Sequence, residues 1–274
     1  MTSMKNSIPA FLLCIAMFVL TAGALSGQES NEELAQAAAN PLASMISIPV
    51  QNNLDFGLGK YDRSRNVLNF QPVIPLAGGK IITRTILPVV WIPDIYAESG
   101  SFSSGLSDTT FTAFYVPPTK GNLTWGPGVA LDIPTGGEMR GSQKWSIGPS
   151  VVVLAQPGPW TLGILANNVW SFAGNSDRHA VNKGFLQYFI VRQLGNGLYV
   201  NSAPIITANW KAPEGQKWIV PFGAGIGKLF RVGKLPINAQ VGAYYNVVKP
   251  DIGPKWQFRI QLQFILPMSI LKGN

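Results

Sequence analysis

The sequence predicts an all-β protein, a transmembrane antiparallel up-and-down β-barrel of about 12 strands with a short N-terminal helix. Three observations carry this prediction. Charged residues make up only 12% of the chain, against about 25% in soluble domains, yet after residue 24 no apolar run reaches the roughly 20 residues of a membrane helix. Apolar and polar residues alternate along many segments. The turns between those segments are of two alternating kinds. Barrel strands alternate in this way, so no window of the sequence is strongly hydrophobic.

Residues 1–26 are predicted to be a signal peptide. Lys5 precedes the apolar run IPAFLLCIAMFVLTAGAL, which ends in small residues, and that order is typical of a cleaved secretory signal. An uncleaved membrane anchor is the alternative. The one cysteine, Cys14, lies inside the run, so the mature chain would have no thiol for a disulfide, a metal or a nucleophile. The exported barrel is expected in the cell outer membrane of a Gram-negative bacterium.

Residues 27–47 are predicted to form a segment of a different kind. Ser30 and Glu33 have the spacing of a capping box, NEELAQAAA is rich in helix formers, and Asn40-Pro41 should end the helix. Two interpretations stay open for this segment: a plug that enters the barrel lumen, or a periplasmic leader with no role in the pore.

Residues 48–274 are predicted to form the barrel itself. The strands are expected near 48–58, 65–77, 79–91, 108–117, 120–132, 143–156, 159–173, 183–193, 197–210, 216–230, 234–248 and 254–267. The last strand, WQFRIQLQF, shows the alternation most clearly. Its aromatic and aliphatic residues share one face, which would meet lipid, while Gln257, Arg259, Gln261 and Gln263 share the other, which would meet the lumen.

Glycines and prolines modify this pattern at particular positions. Gly223, Gly225 and Gly227 fall on the lumen face of one strand, where they would leave space or room for a plug. Proline cannot donate to a strand ladder, so bulges or strand ends are expected at three positions. These positions are Pro72, Pro88 and Pro221.

The turns give the barrel a top and a bottom. Tight turns are predicted at 77–79, 118–120, 157–159, 195–197 and 232–234. The alternate connections, among them 59–65 and 93–107, are longer or more polar. Short turns at one end and long loops at the other are typical of membrane barrels, and an even strand number places both termini at the short-turn, periplasmic end. The tryptophans cluster near predicted strand ends, which favours two interfacial girdles over ordinary core packing.

Several strings resemble one bacterial family. They are NPLASMISIPVQNN (40–53), NVLNFQPVIPL (66–76), ITRTILPVVW (82–91), LTWGPGVALDIPT (123–135), KWSIGPSVVVLAQPGPWTLGILANNVWSFAG (144–174) and WQFRIQLQFILP (256–267). Together they resemble the outer-membrane proteins catalogued as "neuromedin U"-like, which are similar to the outer-membrane proteins of the meta-pathway of phenol degradation and, more distantly, to FadL-like transporters. The resemblance implies a barrel with a transport role for small, hydrophobic or aromatic compounds. It implies no catalytic residues.

The alternation also predicts the lining of the lumen. A charge on the lipid face would cost about 2–4 kcal/mol near the midplane, so Arg84 and Arg259 are expected to point inward together with neighbouring amides. The amides singled out are Asn69, Gln71, Gln187, Asn238, Gln240 and Gln261. These residues either contact a solute, with a mild preference for anions, or form a packed polar core that holds the barrel shut.

The first functional hypothesis is therefore a passive outer-membrane channel or transporter for small compounds. A closed structural or adhesion barrel without flux is the second, and an outer-membrane hydrolase built on His179 is a distant third. No enzyme activity, cofactor or metal site is expected. The formal net charge of +8 suits anionic lipid, lipopolysaccharide or an anionic solute better than nucleic acid, because the chain is exported. The barrel assembly machinery is expected to read the strand 256–264, although a tail follows Phe264.

Overall fold

The computed structural model describes residues 30–100, 102–119 and 121–266, and the predicted signal peptide lies outside them. One helix, α1 (Asn31–Ala38), precedes the sheet, and none of the helices in this part of the chain is long and apolar enough to cross a membrane. A 3-10 turn, Ala77–Gly79, lies between the third and fourth strands. The strands are β1 (Ile46–Leu58), β2 (Arg63–Phe70), β3 (Val73–Leu76), β4 (Ile81–Pro93), β5 (Phe102–Leu106), β6 (Thr109–Tyr115), β7 (Leu123–Ile133), β8 (Lys144–Ala155), β9 (Trp160–Gly174), β10 (Asn182–Gly195), β11 (Leu198–Ser202), β12 (Ile205–Asn209), β13 (Trp218–Val232), β14 (Leu235–Val248) and β15 (Trp256–Leu266).

These strands form one closed antiparallel sheet. The first strand pairs with the last, from Ile46 with Leu266 to Phe56 with Trp256, and β9 pairs with β10 along most of its length. Three positions in the sheet are each occupied by two short strands in line, namely β2–β3, β5–β6 and β11–β12. The 15 strands therefore form a 12-strand barrel. The predicted fold class, including its strand number and its short helix, is confirmed.

Prolines cause the breaks in the ladder. Pro72 separates β2 from β3, and Pro221 faces a bulge, because Val220 pairs with Val248 but Pro221 pairs with Asn246. Pro88 stays within β4, and the interruption falls on the neighbouring strand, between β5 and β6. A further break, between β11 and β12, contains Pro204 and was not predicted. In each case the proline removes a donor that the ladder needs.

The connections follow the predicted sorting with two exceptions. One end carries the connections 77–80, 116–122, 156–159, 196–197 and 233–234, together with the start of β1 and the end of β15. The other end carries 59–62, 94–101, 134–143, 175–181, 210–217 and 249–255. The turn predicted at 118–120 is longer than expected, and the connection predicted over 59–65 is shorter. We call these the short-turn end and the long-loop end.

Large apolar side chains cover the outside of the barrel. Apolar residues such as Phe222, Ile226 and Val241 are exposed at mid-strand positions. All the tryptophans except Trp91 are also exposed, and they lie towards strand ends. Trp210 and Trp218 meet edge to face with ring centroids 5.0 Å apart. An apolar belt with aromatic rings at its borders is the surface that a lipid bilayer requires, and the arrangement fits the predicted girdles.

Inside the barrel, aromatic rings lie over glycines on the neighbouring strand. The ring of Tyr199 occupies the space where a Cβ atom of Gly227, its cross-strand partner, would stand. Phe114 covers Gly128 and Phe189 covers Gly163 in the same register relation. The space predicted beside the lumen glycines is thus filled by a ring at Gly227. These pairs of an aromatic ring and a glycine narrow the lumen, because the rings project into it from the barrel strands.

Substitution of Gly227 by alanine is therefore expected to destabilise the barrel by about 1–3 kcal/mol, because the new methyl group overlaps the Tyr199 ring. Urea titration of the folded barrel in lipid vesicles, read from the gel shift between folded and unfolded protein, measures this change. In a Tyr199→Ala background the same substitution should cost much less, since the ring is gone. Equal costs in both backgrounds would contradict the packing argument.

Candidate functional site in the barrel lumen

Residues 31–45, which we call the cross-lumen segment, pass across the short-turn end of the barrel. Leu34 and Ala35 of α1 are buried in a cluster with Val191, Tyr199, Leu229 and Ile265, which lie on β10, β11, β13 and β15. Farther along, Leu42 is buried against the opposite side of the barrel, where its side chain lies beside Gly126 of β7. The segment therefore holds both walls of the barrel at once.

Polar contacts fix the same segment to one turn. Gln36 donates from Nε2 to the carbonyl of Gly158 at 2.8 Å, and Gln156 donates from Nε2 to the carbonyl of Gln36 at 3.0 Å. Asn40 adds a bond from Nδ2 to Oε1 of Gln156 at 3.2 Å. The amide of Gln156 thus ties the helix to the short-turn end of β8.

The capping box predicted at the start of α1 is present. Ser30 Oγ accepts from the Glu33 backbone, and the Glu33 carboxylate accepts from the Ser30 backbone at 2.8 Å. The backbone bond from Ser30, followed by the hydrogen bond with its side chain, lowers the pKa of Glu33. The carboxylate that the cap needs is therefore charged at neutral pH, and the capping contribution is lost only as the pH falls through the lowered pKa.

A cavity of about 160 Å³ lies in the lumen above this segment. Residues 38–41 and Ala43 line one side of it, and the inward side chains of several strands line the rest. The structure brings all the predicted lumen residues to this cavity except Asn69, which is buried elsewhere in the lumen. The lining members are Gln71, Arg84, Gln187, Asn238, Gln240, Arg259 and Gln261.

Arg259 reaches across the lumen and is only 2% exposed. Its Nε donates to Asn53 Oδ1 at 3.1 Å, its Nη2 to Gln257 Oε1 at 3.1 Å, and its Nη1 to the carbonyl of Ala203 at 2.8 Å. The ring of Tyr244 lies 4.8 Å from the guanidinium carbon. Ala203 stands at the break between β11 and β12, so its carbonyl is not needed by a regular ladder and can accept this bond. A proline-induced break thus supplies the anchor of a lumen cation.

Arg84 faces the same cavity from β4. It donates from Nη2 to Gln71 Oε1. Among the described residues, neither Arg84 nor Arg259 has a carboxylate within ion-pair distance. Two guanidinium groups therefore share one cavity wall with amide and carbonyl oxygens as their acceptors.

The alternation of apolar and polar residues did not identify the carboxylate nearest to these cations. Asp55 is 2% exposed and pairs with Arg65, whose Nε and Nη2 lie 2.9 and 2.6 Å from Oδ2. Its other oxygen accepts from Gln257 at 3.1 Å, and Gln257 in turn accepts from Arg259. We refer to Arg65, Arg84, Arg259 and Asp55 together as the lumen layer. Three arginines and one aspartate give it a formal charge of +2. The signal in the sequence was an acidic residue on the inward side of β1.

A second ion pair lies farther along the barrel wall. Lys183 of β10 stands 2.8 Å from Asp132 of β7, and Thr110 donates to the other oxygen of Asp132 at 2.7 Å. The Asp132 side chain is only 5% exposed. The structure therefore places it at a strand end and inside the barrel.

His179 lies exposed in the connection 175–181. In the same connection, the Ser176 hydroxyl bonds Asp177 at 3.4 Å. Within the part of the chain that the structure describes, neither residue has a hydrogen bond to His179, and no group of three or more His, Cys, Asp or Glu side chains could hold a metal ion. The expectation that the protein is not an enzyme stays a prediction.

The barrel is similar to several solved outer-membrane proteins. An outer-membrane channel from Pseudomonas putida F1 matches with a TM-score of 0.57 and 17% identity over 81% of this chain and 94% of the other. The NanC porin matches with a TM-score of 0.52 and 8% identity over 81% and 100%. Outer membrane phospholipase A from Escherichia coli is more distant, with a TM-score of 0.40 and 12% identity over 85% and 98%. At these identities the likeness concerns the fold alone.

No protein-family model matches the sequence, and no curated protein matches it. The class that the fold defines is the outer-membrane type of β-barrel.

Proposed function

We propose that the protein is an outer-membrane channel that passes small solutes, with its lumen narrowed at the periplasmic end by the cross-lumen segment. The observation that carries the proposal is the polar character of the lumen wall. Two arginines and a set of asparagines and glutamines surround a cavity, where a purely structural barrel could be filled with apolar side chains at lower cost. Polar interiors are typical of conducting barrels. The apolar outer surface and the aromatic rings at its borders support the outer-membrane location.

The orientation follows from the connections. Short turns are periplasmic in membrane barrels, so the cross-lumen segment would lie at the periplasmic end and the pair Asp55–Arg65 nearer the cell exterior. The contacts of Leu34 and Leu42 with opposite walls support a plug over a free leader. The substrate class that the family resemblance implies, hydrophobic or aromatic compounds, agrees with the phenylalanine and aliphatic side chains that line part of the cavity.

A second candidate is a closed barrel without flux. One observation favours it: Arg259 crosses the lumen, and each of its three nitrogens donates to a wall group, as in a packed polar core. In that case the cross-lumen segment and Arg259 would both serve to hold the walls together.

Conductance in planar lipid bilayers separates these candidates. The refolded protein is expected to give small discrete steps in KCl, and a salt gradient should yield a reversal potential on the anion-selective side, because the lumen layer carries a formal charge of +2. An Arg84→Gln variant should move the reversal potential towards zero. Arg192→Gln, which removes an arginine that stacks on Trp160, should leave it unchanged. A folded protein without conductance, also after removal of the cross-lumen segment, would favour the closed barrel.

A further inference from the structure

The lumen cations named above differ in whether they have a carboxylate partner. Arg65 has Asp55, and Lys183 has Asp132. Arg84 and Arg259, by contrast, face a cavity whose lining includes no aspartate or glutamate among the described residues. A buried cation without a counter-charge is costly unless an anion or abundant hydration compensates it. The difference suggests that the missing negative charge is brought by a solute.

Arg259 and Arg84 differ in the number of hydrogen bonds that they already make to the barrel wall. Arg259 directs Nε, Nη1 and Nη2 at three fixed oxygens. Arg84 gives one bond, from Nη2 to Gln71, and its side chain keeps some exposed surface at the cavity. Guanidinium groups bind carboxylates in a bidentate manner through neighbouring N–H groups. Arg84 therefore can supply the direct contact, while Arg259 contributes positive charge from a fixed position.

The facing wall of the cavity, on β9 and β10, carries three apolar side chains beside the amide of Gln187. These side chains are Leu165 of β9 and Phe189 and Val191 of β10, and the two strands lie four or five positions around the 12-strand barrel from β4 and β15, which carry the two arginines. A solute that bridges the cavity would meet charge on one side and hydrocarbon on the other. The volume of about 160 Å³ is similar to that of cavities of roughly 150 Å³ that hold one benzene ring.

From this juxtaposition we infer that the cavity is a binding site for a small monocarboxylate with an apolar body of about one ring. The carboxylate lies against Arg84, within the field of Arg259, and the apolar body packs against Leu165, Phe189 and Val191. This inference rests on the proposed function, since it names the class of solute that the channel would take.

Titration calorimetry on the refolded full-length mature chain in detergent tests the site with three probes. Benzoate carries both features, benzamide has the ring without the charge, and acetate has the charge without the ring. Benzoate is expected to bind with a dissociation constant of roughly 1 mM or tighter, and both other probes at least about ten-fold more weakly. Heat released into protein-free detergent is subtracted for each probe.

Variants then assign the contact. Arg84→Gln should weaken benzoate binding at least about ten-fold and leave the weak benzamide binding unchanged, because only the charge contact is lost. Arg192→Gln is the matched control and should bind benzoate as the wild type does.

Three results would overturn the inference: no benzoate binding to the folded wild type, equal binding of benzoate and benzamide, or equal benzoate binding by the Arg84→Gln and Arg192→Gln variants. Acetate binding as tight as benzoate would overturn the assignment of the apolar wall. A barrel that conducts ions but shows any of these results would retain the proposed channel function and lose this site. A barrel that binds benzoate as expected but never conducts would lose the channel and retain the site.

Discussion

Deletion of residues 31–45 is expected to raise the single-channel conductance at least about three-fold, because the segment is the one part of the described chain that crosses the short-turn mouth of the lumen. Burial of Leu34 and Leu42 stabilises its docked position by about 1.5–3 kcal/mol for each side chain. The hydrogen bonds of Gln36 and Asn40 to the turn 156–158 add to this. Spontaneous release should therefore be rare, and the wild type should conduct weakly.

A variant of unchanged length tests whether the segment blocks the lumen because it is docked there, and not merely because it is part of the chain. Leu34→Gln combined with Leu42→Gln removes both apolar anchors and would force two amides into apolar clusters, so the segment should leave the mouth and the conductance should approach that of the deletion. Glu32→Gln, an exposed change on the same helix, is the matched control and should conduct as the wild type does. If the deletion variant folds and its conductance stays at zero, the plugged-channel model is wrong.

The alternation in the sequence predicted the barrel wall well for a physical reason. A strand between lipid and lumen must change polarity at every residue, so Trp256 to Phe264 reveal inside and outside without any tertiary information. An even strand number makes the first and last strands antiparallel, which allows β1 to pair with β15. The same logic placed Arg84 and Arg259 in the lumen, since neither charge could face lipid.

The fate of each lumen side chain depends on partners that are distant in sequence. The bond from Arg259 to the Ala203 carbonyl requires the break before Pro204, and that proline lies in a segment that reads as one uninterrupted strand. The filling of the space beside Gly227 by Tyr199 depends on the register of β11 with β13. Contacts of this kind are fixed by strand pairing and could not be predicted from alternation alone.

The N-terminal segment shows the same limit. Its capping box and its end near Asn40 were predictable, because both depend on residues within one turn of the helix. Where the helix docks depends on Val191, Leu229 and Ile265, which lie more than 150 residues farther along the chain and meet only when the barrel closes. The sequence therefore could not decide whether the segment is a plug in the lumen or a periplasmic leader. The contacts of Leu34 and Leu42 favour the plug.

Asp55→Asn is expected to destabilise the barrel by about 2 kcal/mol and to increase its anion preference. The carboxylate is almost fully buried, and its removal breaks the contacts at 2.9 and 2.6 Å from Arg65. Breaking a fully buried pair costs about 3–5 kcal/mol, and the smaller figure applies here because the Arg65 side chain is 35% exposed and can be hydrated. The formal charge of the layer rises from +2 to +3, so the reversal potential should move farther to the anion side.

Asp62→Asn is the matched control, because it makes the same chemical change at the same end of the barrel. Asp62 pairs with Lys255 at 2.7 Å, but the two side chains are 65% and 51% exposed, and exposed pairs contribute at most about 1 kcal/mol. Urea titration in lipid vesicles should therefore separate the two variants clearly. A cost for Asp55→Asn no larger than for Asp62→Asn would contradict the assignment of Asp55 as the counter-charge of the lumen.

A double-mutant cycle shows whether Asp55 acts through Arg65. Arg65→Gln alone leaves a buried carboxylate with only Gln257 bonded to it, so its cost should be similar to that of Asp55→Asn. In the double variant both charges are gone, and the total cost should fall below the sum of the single costs by about 1 kcal/mol or more. Additive costs would mean that Asp55 is not coupled to Arg65 and that its carboxylate is stabilised by the other lumen cations, Arg84 and Arg259. In that case the anion preference, measured on the same variants, would depend on the number of lumen charges and not on which pair is broken.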